Sequence, residues 1–185
     1  MKRLKKYGID SLGNFLEVLN GFEMQGVIAG DGENWDCLFN CFIYTYKLQT
    51  GITLDHDTLV NQYISATGKD PQEAGGAVTD SFMDFISSKY GYCATQTPTN
   101  NQGVTPWASF ALDNSGILHY AIPLGPIEMK DGTKKIKCID PSLPAGQQEV
   151  WYPVDAWKGT FNVGPCDVNG STGSYSSSTG SYYYA

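Results

Sequence analysis

Three residues far apart in the chain, Cys37, His119 and Asp140, could together perform nucleophilic chemistry. Such chemistry needs a thiolate, and a free thiol with a pKa of about 8.5 is mostly protonated at neutral pH. A helix N-terminus and a neighbouring imidazolium both favour the anion. Cys37 stands at the expected start of the most apolar stretch of the chain, WDCLFNCF, with Cys41 one turn deeper. Taken alone, a cysteine in that setting is more often an ordinary core thiol. His119 changes the balance. It lies in the strand-like run GILHYAIPL, where alternation sets His119, Ala121 and Pro123 on one face and Leu118, Tyr120 and Ile122 on the other. An imidazole among apolar neighbours carries a desolvation cost unless it finds partners. Asp140 follows in the next run, IKCIDPS, within reach of a neighbouring strand. A carboxylate there can accept the imidazole N–H and fix its tautomer and orientation.

Several elements must position these groups. Residues 36–48 are apolar on nearly all sides and run unbroken to Gly51, which predicts a buried helix with Asn34 or Asp36 as N-cap. Leu54, Leu59, Tyr63 and Ile64 repeat helically before Gly68, and Val78, Phe82, Phe85 and Ile86 before Gly91. The pattern then changes to short β-branched and aromatic runs: TPWASFAL, GILHYAIPL and KKIKCIDPS. Asp-Asn, the seven residues PIEMKDG and Pro-Ser separate them as turns, and Asp131-Gly132 is a hairpin signal. Helices first and strands later give an α+β class, with N-terminal helices packed against an antiparallel sheet.

Composition narrows the function classes. A chain of 185 residues, 41% hydrophobic, suits one domain with a substantial core. A net charge of −7 repels phosphate backbones and disfavours nucleic acid as a partner. No stretch approaches the roughly 20 apolar residues of a membrane span, so no membrane insertion is expected. The five cysteines match no common zinc spacing, only His56 and His119 could add imidazole ligands, and no metal or organic cofactor is implied. An odd count fits one reactive thiol plus up to two disulfides among Cys41, Cys93, Cys138 and Cys166, or five reduced thiols. His56, between Asp55 and Asp57, reads as a solvated residue at a helix start. Gly75-Gly76 reads as a turn rather than a phosphate cradle.

The two ends of the chain differ from its body. The first thirty residues begin with Lys2, Arg3, Lys5 and Lys6 but lack the continuous apolar core, roughly 7–15 residues, of a secretory signal. Leu12, Phe15, Leu16, Leu19, Met24 and Val27 recur at helical spacing instead. Leu19, Asn20, Glu23, Met24, Val27, Ala29 and Gly30 have the types and spacing of a double-glycine leader, which this segment resembles. Leaders of that kind precede bacterial peptides exported by peptidase-containing ABC transporters. The resemblance implies cleavage after Ala29-Gly30, an exported product beginning at Asp31, and such a transporter as processing partner. An ordinary N-terminal helix packed on the domain is the simpler alternative. Residues 1–30 carry four basic and three acidic side chains, so the remainder has eight and sixteen, a charge of −8. Residues 167–185 repeat STGSY and hold no aliphatic side chain after Val168, so they form a low-complexity tail unable to build a core.

Residues 31–166 form the expected catalytic domain, and across about residues 34–163 the sequence resembles the papain-like cysteine peptidase superfamily. It looks most like the group that processes double-glycine leaders. The residues that carry the resemblance are Asp36-Cys37 with Cys41, His119-Tyr120-Ala121-Ile122, Asp140-Pro141, and then Trp151 and Trp157-Lys158-Gly159. The resemblance implies a papain-like fold, a Cys37-His119-Asp140 triad, a thioester acyl-enzyme, and a peptide or protein substrate cleaved by a secreted bacterial monomer. Held with its leader, the chain would be a zymogen. Two departures stand out. Asp31 and Gly32 occupy the positions where the family places its oxyanion glutamine, which leaves the Asn34 amide as the candidate donor beside the Cys37 N–H. Leu38 replaces the glycine usual after the cysteine. Both departures fit an alternative in which the same fold serves a noncatalytic secreted effector or binding protein. The leader alone would also fit a bacteriocin-like toxin.

Overall fold

The computed structural model describes residues 28–29, 35–95, 103–112 and 117–166. A two-residue strand, β1 (Ile28–Ala29), comes first, followed by helices α1 (Cys37–Thr50) and α2 (His56–Thr67). Strand β2 (Ala77–Val78) leads into α3 (Thr79–Tyr90). Six strands complete the order: β3 (Tyr92–Thr95), β4 (Thr105–Phe110), β5 (His119–Lys130), β6 (Thr133–Ile139), β7 (Glu149–Pro153) and β8 (Trp157–Pro165). The fold is α+β. The six strands form one sheet in the order β3-β8-β4-β5-β6-β7, with every pairing antiparallel.

Each helix stops where the sequence expects it to. Gly51, Gly68 and Gly91 adopt left-handed conformations and return their N–H groups to the last turn. The Asp55 side chain caps α2 by accepting from the Thr58 N–H. Asp131 and Gly132 both have positive φ, 52° and 77°, and close the β5–β6 hairpin between Lys130 and Thr133.

Strand β5 extends beyond its predicted end. Residues 126–130 belong to the strand, and only Asp131-Gly132 turns. Pairing with β4 ends at Ala121, so from Ile122 onward β5 has β6 on one side only. A proline in that half of the strand sacrifices no bond on the open side, and a register shift between Pro123 and Ile127 absorbs the irregularity. The Asp-Gly turn is sharp, whereas Pro126 is an edge-strand residue.

The sheet separates two cores. On one side Phe39, Phe42, Tyr63, Phe82, Phe85 and Ile86 from the helices meet Trp107, Leu118, Tyr120, Ile122 and Val163. Ring packing is dense there, with Phe39 against Phe82 at 4.9 Å and Phe42 against Tyr92 at 5.4 Å. Polar atoms inside this core are paired: Trp107 Nε1 donates to Thr45 Oγ1 at 2.9 Å, and Thr79 and Tyr120 share a hydroxyl contact at 3.1 Å. The other side holds Ala108, Phe110, Ala121, Ile136 and Cys138, covered by Tyr152 and Trp157. The alternation of residues 118–122 thus serves two interiors rather than an inside and an outside. Cys93 and Cys166 are joined by a disulfide that ties β3 to the residue after β8, while Cys37, Cys41 and Cys138 are free. No helix among the described residues is long and apolar enough to cross a membrane.

Candidate functional site

Cys37 is the first residue of α1 and is completely buried. The helix starts there because residues 37–50 contain no proline or glycine and bury Leu38, Phe39, Cys41, Phe42 and Thr45 in the core. His119 opens β5 opposite Phe110 of β4, and Asp140 is the residue immediately after β6. Ile122 pairs with Ile139, so the antiparallel register brings Asp140 level with Ala121, a diagonal step from His119. The two side chains meet there, with His119 Nε2 2.7 Å from Asp140 Oδ2 and each residue only 2% exposed.

Asp140 is fully engaged. Its Oδ2 also accepts from the Tyr152 hydroxyl, and its Oδ1 accepts from the Ser142 N–H at 3.0 Å. Its backbone N–H donates to Gln148 O at 2.8 Å. Burial alone would push the carboxyl upward, but the His119 hydrogen bond and charge, the Tyr152 hydroxyl and the Ser142 amide hold it below the usual carboxylate range. The His119 ring experiences the opposite balance. Burial would lower its pKa, yet the hydrogen bond to Asp140, the Cys37 thiol and the charge of both groups raise it to about 10. The ring is therefore an imidazolium at neutral pH.

With Nε2 committed to Asp140, Nδ1 is the nitrogen left for sulfur. It is buried and makes no hydrogen bond of standard geometry, while Cys37 acts on the ring as both hydrogen-bonding and charge neighbour. The other free thiols differ. Cys41 donates to Tyr120 O at 3.4 Å, and burial, followed by the nearby Cys37 and Asp140 charges, pushes its pKa well up. Burial and then Asp140 push Cys138 up to about 12. Cys41 and Cys138 both feel the Asp140 charge, and of the three free thiols only Cys37 belongs to a helix start.

The structure thus brings Cys37, His119 and Asp140 into one cluster. Asn34 and Gly30 lie outside the described residues, as do residues 1–27 and the tail from 167 onward. Ala29 is described in its backbone, paired with Ala77 through β1 and β2. Asp36 is the N-cap residue of α1 by position, but its side chain makes no capping hydrogen bond.

The expectation for His56 needs correction. It is only about one-third exposed, its ring packs edge-on against Trp35 and Phe39, and its Nε2 lies 3.1 Å from Asp36 Oδ2. The aromatic residues flanking Cys37 draw the ring inward, an effect that the acidic sequence neighbours of His56 conceal. Tyr152 was also not anticipated. Its ring lies 4.6 Å from Phe110 and 5.7 Å from His119, which aims its hydroxyl at Asp140. Its place beside Trp151, in the run after Asp140, is the sequence signal that points to it. No family model matches this chain, and no curated protein matches it.

Proposed function

We propose that this chain is a papain-like cysteine hydrolase that cleaves peptide amide bonds through Cys37, His119 and Asp140. The observation that carries this reading is the buried His119–Asp140 pair, which leaves one ring nitrogen to the thiol at the tip of α1. In the mechanism, the Cys37 proton rests on His119 Nδ1 as a thiolate–imidazolium pair, and the sulfur attacks the substrate carbonyl carbon. The carbonyl oxygen becomes an oxyanion held by the Cys37 N–H and the Asn34 amide. Collapse expels the amine, which takes the proton from His119, and leaves a thioester. Water, giving up a proton to His119, hydrolyses the thioester and restores the thiol. Asp140 keeps the ring oriented and stabilises its charge throughout.

Export after cleavage at Ala29-Gly30 by a peptidase-containing ABC transporter completes the proposal. The Cys93–Cys166 disulfide supports it, because such bonds persist in oxidising compartments. The complete burial of Cys37 supports a zymogen, since a substrate cannot reach the sulfur until something covering it leaves. The same burial, together with Leu38 after the cysteine, favours the noncatalytic effector as the second reading.

Alkylation separates the two. Iodoacetamide should label Cys37 in the chain beginning at Asp31 far faster than a model thiol, leaving Cys41 and Cys138 unlabelled, as mass spectrometry of the peptides would show. His119→Ala should abolish the fast phase, and the full chain should react more slowly than the shortened one. A Cys37 that reacts no faster than a free thiol in the shortened chain would favour the effector.

A further inference from the structure

Asp36 occupies the N-cap position of α1 without using it. An aspartate there ordinarily accepts from the N–H of the second or third helical residue, here Leu38 or Phe39. The Asp36 carboxylate makes no such bond. It lies instead 3.1 Å from His56 Nε2, at the start of α2. The His56 ring is fixed from several sides. Trp35 and Phe39 pack against it with ring centres at 5.9 and 6.4 Å, and Asp57 Oδ1 is 3.3 Å from Nδ1. Nε2 is sealed from water and has no hydrogen bond of standard geometry, so Asp36 is the polar group it faces.

From this we infer that His56 is a positioning residue that draws the Asp36 carboxylate away from the first amides of α1. The consequence follows from electrostatics. A carboxylate capping α1 would occupy backbone donors at the helix tip and place negative charge beside the Cys37 sulfur. A sulfur anion at Cys37, or an oxyanion at the Cys37 N–H, is stabilised by the positive helix end that those donors make when uncapped. Held by His56, Asp36 leaves them free. The positioning stands on the geometry of the pair alone. Its effect on rate rests on Cys37 being the nucleophile proposed above.

The test uses the full chain and the chain beginning at Asp31, with His56→Ala, Asp36→Ala and the double variant. Amide NMR over a pH series reads the positioning directly. In His56→Ala the Leu38 or Phe39 amide should acquire a shift that titrates with Asp36, and this should be absent from the parent chain and from the double variant. Iodoacetamide labelling of Cys37 reads the consequence. His56→Ala should slow it about tenfold, the rate equivalent of one cap hydrogen bond, whereas the double variant should match Asp36→Ala. Rescue by removing a second side chain is an outcome that a merely structural role for His56 would not give. The inference is overturned if the amides of His56→Ala show no Asp36-linked titration, or if the double variant labels no faster than His56→Ala. An unsubstituted chain beginning at Asp31 whose Cys37 is slow overturns the hydrolase reading instead, and the NMR result still decides the positioning.

Discussion

Replacing Asp140 with alanine tests the link between the carboxylate and the sulfur. In the native protein Asp140 accepts from three donors, His119 Nε2, the Tyr152 hydroxyl and the Ser142 N–H, in a site where it and His119 are each 2% exposed. Removing one partner of a buried ion pair costs about 3–5 kcal/mol, a large part of the roughly 5–15 kcal/mol that stabilises a domain. The variant should fold with a clearly lowered denaturation midpoint. The effect on the thiol is separable from the effect on stability. His119 keeps its proton to about 10 against the opposing effect of burial, through Asp140 and Cys37. Without Asp140 the ring loses the strongest of the interactions that oppose burial, so its proton should leave at a lower pH than in the native protein. A lost charge-assisted hydrogen bond is worth about 1.5–3 kcal/mol, which predicts labelling of Cys37 slower by about 10- to 100-fold at pH 7.5. Asp140→Asn retains an acceptor without the charge and should fall between the two. The assay is the pH–rate profile of iodoacetamide labelling from pH 5 to 10, at temperatures where circular dichroism shows each variant folded. A folded Asp140→Ala protein with an unchanged profile would refute the coupling of Asp140 to Cys37 through His119.

Stability should depend on pH through the same pair. The folded His119 pKa is raised above 6.5, so its contribution is complete below 6.5 and is lost as pH rises through about 10. The folded Asp140 pKa is lowered, so its contribution is complete above 3.8 and is lost as pH falls through the lower folded value. Urea denaturation at pH 6, 8 and 10 should show the native protein weakening across that series and His119→Phe weakening less. The Cys93–Cys166 disulfide spans 73 residues, for which chain entropy predicts stabilisation of about 4 kcal/mol. Cys93→Ser/Cys166→Ser should therefore melt well below the parent under non-reducing conditions, and added reductant should bring the parent down to meet it.

The elements that announce themselves locally were legible in the sequence. The three helices carry their own stop signals in Gly51, Gly68 and Gly91, and Asp131-Gly132 turns its hairpin without outside help. His119 and Asp140 could be expected on neighbouring strands because one hairpin joins them. What stayed hidden depends on contacts between distant segments. Strand β3 is four residues long, and its pairing partner is the end of β8, some seventy positions away. The Cys93–Cys166 bond follows from that pairing and from no spacing rule. His56 looked solvated because its sequence neighbours are acidic, whereas Trp35 and Phe39 come to it from another helix start. Pro126 read as a turn because nothing local reveals that β5 is unpaired on one side there.

The sulfur bridge between β3 and the residue after β8 also divides the candidate site topologically. His119 and Asp140 lie within the covalent ring that it closes, while Cys37 and all of α1 lie outside. A protease that nicks the backbone anywhere in residues 94–165 would therefore release nothing. The pieces would migrate together on a non-reducing gel and separate only with dithiothreitol. A cut between Cys37 and Cys93, by contrast, leaves the thiol on a fragment held to the imidazole by packing alone.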